Sequence, residues 1–252
     1  MNQHQLQHFR GNEEFVKRLY DLIDQMQRYR RICITPFFTP EEASIAQSIC
    51  GKQILYRMDG GYPNAERVRF AFLPYDDEEP AFPTICLKAN YSSSFSKLSH
   101  PDILGAIMHI GIERDMIGDF IIEDDRIYIF CDEMVENYIT CNLTKIKRCS
   151  LHFQRTNEPI QHEQKLKYET KIVSSLRLDV MVSTLGHMSR SKATDLIKAG
   201  LVKVNHTVNQ QASTTVSVGS VISIRKAGRF KFLEVSNKTK KDHLVIEVAK
   251  YE

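Results

Sequence analysis

Residues 188–205 read MSRSKATDLIKAGLVKVN, and this stretch has the features of a short amphipathic helix followed by a strand. Ser189 is a residue type that caps helix N-termini, and Gly200 is a type that ends helices. The apolar residues between them recur at spacings of three and four, which predicts one buried face. Arg190 and Lys192 fall in the first turn, where the helix macrodipole disfavours positive charge.

An anion bound at this helix N-terminus would account for the two cations. Arginine forks onto phosphate oxygens, and the free backbone N–H groups of a first turn point at the same anion. Without such a ligand the penalty is small, about 0.3–1 kcal/mol for each exposed charge. A solvated charged face is the ordinary alternative for an isolated pair of this kind.

The distribution of charge along the chain favours the anion. The net charge is +3, but residues 171–252 hold 14 Lys and Arg against 6 Asp and Glu, a net of +8. Residues 1–170 carry a net of −5. A basic module joined to a mildly acidic body is typical of a protein whose C-terminal part meets polyanions.

The flanks of this stretch extend the pattern into a domain over residues 174–252. The preceding segment, SSLRLDVMVSTLG, predicts a first helix that ends at Gly186. Alternating apolar residues downstream predict five strands, LVKVN, TVSVG, VISIR, RFKFLEV and HLVIEV. The polar residues 157–173 show no strong periodicity and are predicted to form a linker.

The middle of the chain, residues 82–156, predicts a β-α-β-β-α-β order. The segments are TICLKANY, HPDILGAIMHIGI, GDFIIED, RIYIFCD, EMVENYITCNL and RCSLHFQ. This order is that of ferredoxin-like folds, which RNA-recognition-motif domains share. The strands lack the aromatic run with which such domains stack bases, so the topology alone does not predict RNA binding.

Residues 1–78 predict a small N-terminal lobe of helices and strands. One amphipathic helix, a second helix capped by Thr39, and a hairpin joined by GGYPNAER follow one another. The two glycines of that loop could cradle a phosphate, but no G-K-[ST] follows, and a hairpin connection is preferred. Arg67 and Arg69 beside the loop are candidates for a second RNA contact. The whole chain is therefore predicted to be an α+β, multidomain protein.

Composition excludes several classes of protein. No apolar run approaches the roughly 20 residues needed to span a bilayer, and the polar N-terminus has no signal-peptide core. We therefore expect a cytoplasmic protein. The six cysteines are widely spaced and contain no C-x-x-C pair, which predicts reduced thiols rather than disulfides or metal ligands. We expect no metal and no cofactor.

Several consecutive motifs resemble a known module. RLD, then SRSKATDLIKAGLVKVN, then VGSVISIRKAGRFKF are similar to the ribosomal protein S-four type (alpha-L) RNA-binding domain. Upstream, GGYPNAERVRF and HPDILGAIMHIGIERDMIGDF resemble the other signatures of the bacterial YlmH family, which carries this module at the C-terminus. The resemblance covers nearly the whole chain.

The resemblance implies an RNA-binding factor without enzymatic activity. YlmH-like proteins are linked to ribosome-associated quality control, so the implied partners are rRNA and tRNA on the large ribosomal subunit, bound by a monomer without a small-molecule substrate. The family pattern places the RNA face on Arg177, Ser189, Arg190, Lys192, Lys198, Lys203 and Asn205, with Arg229 and Lys231 as helpers. The family's usual Asn-Gly turn is Asn205-His206 here, which forgoes the easiest type I′ turn.

Two other functions stay open at this point. Pseudouridine synthases carry the same RNA-binding module, so an RNA-modifying enzyme acting on rRNA is one alternative. Asp179 is better explained as a helix-dipole partner or a brace for a nearby arginine than as a catalytic acid. YlmH genes lie beside cell-division genes, so the other alternative is a cell-division-linked interaction protein.

Overall fold

The computed structural model describes residue 9 and residues 11–92, 96–123, 125–160 and 165–251. The chain divides into two compact units, residues 1–162 and residues 163–252. Each unit is described by itself. Among the described residues, no helix combines the length and the apolar character that crossing a membrane requires.

The described residues of the first unit begin with a lobe of two helices and a three-stranded antiparallel sheet. Its elements are α1 (Glu13–Tyr29), β1 (Cys33–Ile34), α2 (Pro40–Cys50), β2 (Leu55–Asp59) and β3 (Arg69–Leu73), with strand order β1–β3–β2. Helix α2 begins after Thr39, whose hydroxyl accepts a hydrogen bond from the Glu42 amide at 3.2 Å. This cap is as the sequence predicts, and the helix ends at Gly51.

The second lobe of this unit contains the predicted β-α-β-β-α-β order. Its elements are β4 (Thr84–Asn90), α3 (His100–His109), β5 (Ile117–Ile122), β6 (Arg126–Asp132), α4 (Glu136–Asn142), β7 (Lys145–Ile146), β8 (Cys149–Ser150) and β9 (Gln154–Thr156). The main sheet is antiparallel in the order β5–β6–β4–β9, as in ferredoxin-like folds. The last strand differs from the prediction, because Cys149 and Ser150 pair with β7 and the sheet is completed by β9.

The loop over residues 60–68 packs on the sheet face that is turned away from α3 and α4. Tyr62 stacks on Phe130 with ring centroids 4.7 Å apart, and Asp119 accepts hydrogen bonds from the Tyr62 hydroxyl and the Glu66 amide. A Cβ at Gly61, which has φ +89°, would lie 2.5 Å from the Phe130 ring. This loop is therefore a hairpin connection between β2 and β3, which is the interpretation that the sequence favours over a phosphate-binding loop. It covers Phe130 on this face of the sheet.

The second unit is a six-stranded antiparallel sheet with two helices on one face. Its elements are β10 (Leu166–Val173), α5 (Leu178–Leu185), α6 (Arg190–Lys198), β11 (Val202–Val204), β12 (Thr207–Val208), β13 (Val221–Ile224), β14 (Gly228–Lys238) and β15 (Leu244–Tyr251). The strand order is β10–β15–β14–β13–β11–β12. Apolar residues of both helices pack on inward-facing strand residues such as Phe230, Phe232 and Val248, each at most 2% exposed.

Two sequence predictions for this unit are corrected. Residues 166–173, predicted as part of the linker over 157–173, form β10, which pairs with β15 over all eight of its residues. The segment TVSVG, predicted as a strand, makes one isolated bridge, between Thr215 and Arg177. The edge strand beside β11 is β12 instead.

Candidate nucleic-acid interface

The N-terminus of α6 is built as the sequence predicts. Ser189 is extended and its hydroxyl accepts a hydrogen bond from the Lys192 amide at 3.3 Å. The first turn of α6 contains no acidic residue. Ser189, Arg190 and Lys192 are all exposed, so the positive end of the helix dipole and two cationic side chains lie together at the surface.

The position of Arg190 is explained by a carboxylate on the preceding helix. Asp179, in the first turn of α5, has a side chain only 6% exposed. It accepts hydrogen bonds from Arg190 Nε at 2.9 Å and from Arg177 Nε and Nη2 at 3.1 Å. Asp179 is therefore the arginine brace that the sequence suggests, and it holds two arginines rather than one.

This arrangement leaves a fixed positive charge at the surface. Burial works to raise the pKa of Asp179, but the hydrogen bonds from Arg177 and Arg190 outweigh it and hold that pKa below its ordinary value. At neutral pH the three side chains therefore carry a net charge of about +1. The arginine side chains stay 42% and 58% exposed, so a phosphate can reach both of them.

The remaining predicted residue of α6, Lys198, lies in the last turn. Its side chain is exposed at the negative end of the helix dipole, which a cation stabilises. Its backbone carbonyl accepts a hydrogen bond from Gln210 Nε2 at 3.2 Å. Lys198 therefore sits at the far end of α6 from the Ser189 cap.

The hairpin between β11 and β12 forms without a glycine. Asn205 has φ 49° and His206 has φ 70°, the positive values that a type I′ turn requires at both central positions. The Asn205 side-chain oxygen accepts a hydrogen bond from the Val221 amide at 2.9 Å. That oxygen is therefore used within the fold, and the side-chain NH2 group is the remaining polar part of Asn205.

The last three predicted residues lie on the sheet face turned away from the helices. Lys203 and Arg229 both pair with Ser223, one on each side of β13. Arg229 and Lys231 alternate with the buried Phe230 and Phe232 of β14. The structure thus divides the predicted site into a helix group (Arg177, Ser189, Arg190, Lys192, Lys198) and a sheet group (Lys203, Arg229, Lys231), with Asn205 in the turn between β11 and β12.

The structure argues against the expected second RNA contact at Arg67 and Arg69. Arg67 is 7% exposed and donates hydrogen bonds to the backbone carbonyls of Phe37, Arg114 and Ile117. Arg69 is 2% exposed, with its guanidinium bonded to the Asp132 carboxylate. Both arginines tie the first lobe to the second, so neither guanidinium group lies at the surface. In sequence, a buried arginine and an RNA-binding arginine look the same.

Comparison with known proteins divides the chain in three. Residues 11–76 match the model "YlmH, N-terminal", residues 77–159 match "Putative RNA-binding domain in YlmH", and residues 176–222 match "S4 domain". Over 242 residues the chain is 30% identical to "Ribosome-associated protein quality control protein P2" of Bacillus subtilis (strain 168), which covers 94% of each chain. The chain belongs to the YlmH family.

A solved member of this family supports the fold. "Cell division protein ylmH from Streptococcus pneumoniae" superposes with a TM-score of 0.50, over 57% of this chain and 90% of that chain, at 23% identity. The matched S4 domain spans the helix group from Arg177 to Lys198 and the turn at Asn205. Arg229 and Lys231 lie beyond the match, on the part of the sheet that follows it.

Proposed function

We propose that this YlmH-family chain binds rRNA and tRNA on the large ribosomal subunit and serves ribosome-associated quality control as a non-enzymatic, cytoplasmic, monomeric factor. The observation that carries the proposal is the pair of arginines braced by Asp179 at the N-terminus of α6. The relative in Bacillus subtilis, whose name refers to ribosome-associated quality control, supports the biological setting.

The geometry of the helix group suits a phosphate rather than a base edge. The Asp179 carboxylate holds the guanidinium groups of Arg177 and Arg190, which are N–H donors, and the first turn of α6 adds backbone N–H groups. Such contacts position a nucleic acid without reading its sequence. A folded RNA with closely spaced phosphates is therefore the ligand that these residues fit.

Co-sedimentation with purified large ribosomal subunits at low salt tests the proposal. The unaltered chain is expected to sediment with the subunits, and the double variant Arg177→Ala, Arg190→Ala is expected to stay in the supernatant. The control is Lys240→Ala, Lys241→Ala, which removes the same charge from exposed residues of the turn between β14 and β15. Sedimentation of the arginine variant to the same extent as the unaltered chain would refute the site.

Two further measurements separate the alternatives that the sequence leaves open. Mass spectrometry of rRNA from cells with and without the protein detects a modifying enzyme, since a modified nucleotide would be missing from the rRNA of cells that lack it. Digestion of RNA before a pull-down detects a protein-binding scaffold, because its partners would survive the digestion. The proposed function predicts unchanged rRNA modification and loss of the ribosomal partners after digestion.

A further inference from the structure

A second surface of the C-terminal unit carries aromatic rings beside cations. It lies on the sheet face turned away from α5 and α6 and is formed by Tyr168, Arg229, Lys231 and Tyr251, which we call the tyrosine face. Tyr168 is 68% exposed, although it lies in the middle of a strand. An aromatic ring that exposed, with cations on the same face, is the usual composition of a base-stacking surface.

The strand register brings these side chains together. Ala249 of β15 pairs with Lys231 of β14 on one side and with Tyr168 of β10 on the other. Lys231 and Tyr168 are thus two strands apart, roughly 10 Å at the usual strand spacing, and only the methyl group of Ala249 stands between them in the row. The next residue of β15 on the same face is Tyr251, and Arg229 lies over its ring at 4.0 Å.

The tyrosine face is basic at one end and acidic at the other. Lys203, Arg229 and Lys231 make one end basic, whereas the other end holds Glu234 opposite Glu247. Glu247 also accepts a hydrogen bond from the Thr170 hydroxyl at 3.0 Å, two residues along β10 from Tyr168. A phosphate is attracted to the end that carries the tyrosines and is repelled by the other end.

We infer that the tyrosine face binds an unpaired nucleotide of RNA, with its base stacked on Tyr168 and its phosphate held by Lys231 and Arg229. The inference rests on the proposed RNA binding and adds the kind of RNA, because a base stacks on a side chain only when it is free of its own helix. Duplex RNA would offer phosphates alone. Strand β10 lies outside the matched S4 domain, so this contact extends the RNA-binding surface beyond that module.

The test uses the full chain and an RNA hairpin with a single bulged 2-aminopurine, whose fluorescence is quenched by stacking. The unaltered chain is expected to quench the bulged base. Tyr168→Ala is expected to abolish the quenching and to weaken binding by roughly 5- to 100-fold, while Tyr168→Phe keeps both. Ile172→Ala, an exposed residue on the same strand and face, is the matched control and is expected to bind as the unaltered chain does.

A second RNA, identical but with the bulge closed by a complementary base, separates the possible failures. The inference predicts that Tyr168→Ala binds this closed RNA as the unaltered chain does. If Tyr168→Ala binds and quenches the bulged RNA normally, the tyrosine face does not stack a base, and the proposed function is untouched. If the unaltered chain binds neither RNA at low salt, the proposed function fails as well.

Discussion

The substitution Asp179→Asn removes the carboxylate that braces the helix group and keeps the size of its side chain. The carboxylate accepts hydrogen bonds from Arg177, Arg190 and the Val180 amide, at 2.9–3.1 Å. An asparagine would turn half of its polar surface into a donor that faces two guanidinium groups. The two arginines would also repel each other without a counter-charge between them.

The size of the effect follows from the exposure of the partners. Removing one partner of a buried ion pair costs about 3–5 kcal/mol when the remaining charge is buried too. Here the arginine side chains are 42% and 58% exposed and stay hydrated, so each pair contributes at the level of a screened surface pair. With about 0.2–1 kcal/mol for each pair, and a similar amount for the Val180 amide bond, we expect a loss of about 1–2 kcal/mol.

The same substitution has a predicted pH dependence. The pKa of Asp179 is lower in the folded protein than in the unfolded chain, where it has its ordinary value of about 3.9. Its contribution to stability is therefore complete above about pH 4 and is lost as the pH falls through the folded pKa. Asp179→Asn and the unaltered chain should differ in stability at pH 7 and converge in strong acid.

Hydrogen exchange over α5 and α6 in the full chain measures this stability locally. At pH 7 the variant is expected to exchange roughly 5- to 30-fold faster than the unaltered chain. The control is Asp195→Asn, an exposed residue near the C-terminal end of α6, where loss of a negative charge is neutral or slightly stabilising. Equal exchange rates at pH 7, or a difference that stays undiminished into strong acid, would refute the brace.

Two further predictions concern the first unit, and one concerns phosphate binding by the helix group. Arg67→Met removes hydrogen bonds to three backbone carbonyls, of which the Phe37 carbonyl loses its donor while those of Arg114 and Ile117 keep another, and should lower the stability of the first unit by about 2–4 kcal/mol in denaturant titrations, with RNA binding by the folded protein unchanged. Gly61→Ala, which forces a Cβ against Phe130 at a positive φ, should cost about 2–4 kcal/mol in the same assay, whereas Gly11→Ala meets no neighbouring atom and should cost less. Arg177→Ala with Arg190→Ala should reduce the slope of log affinity against log salt by about 1.4–1.8, and an unchanged slope would mean that neither arginine contacts a phosphate.

The elements that sequence reasoning predicts well are those with a clear apolar period or a specific cap. Helices α5 and α6 bury apolar residues at spacings of three and four, and Thr39 and Ser189 satisfy backbone donors that only a short list of residue types can satisfy. The Asp179 brace was foreseeable in part, since an acid between two nearby arginines has few other roles. Its contact with both arginines depends on how α5 and α6 pack, which the spacing does not reveal.

Sequence reasoning does not predict the place of polar segments and charged residues whose position depends on partners distant in sequence. Strand β10 reads as a linker because it lies at the edge of the sheet, where Tyr168, Thr170 and Ile172 face outward and charged residues occupy most of the alternate positions. Arg67 and Arg69 read as RNA contacts because long-range partners decide their burial. Tyr168 becomes a candidate for base stacking only once the register sets it beside Ala249 and Lys231.

A cryo-EM reconstruction of the protein bound to large ribosomal subunits would show whether the helix group contacts RNA. We expect the N-terminus of α6 to lie against an RNA backbone, with a phosphate within hydrogen-bond distance of Arg177 or Arg190 and with Asp179 behind them. A reconstruction in which this end of α6 faces solvent, while another surface of the chain contacts the subunit, would contradict it.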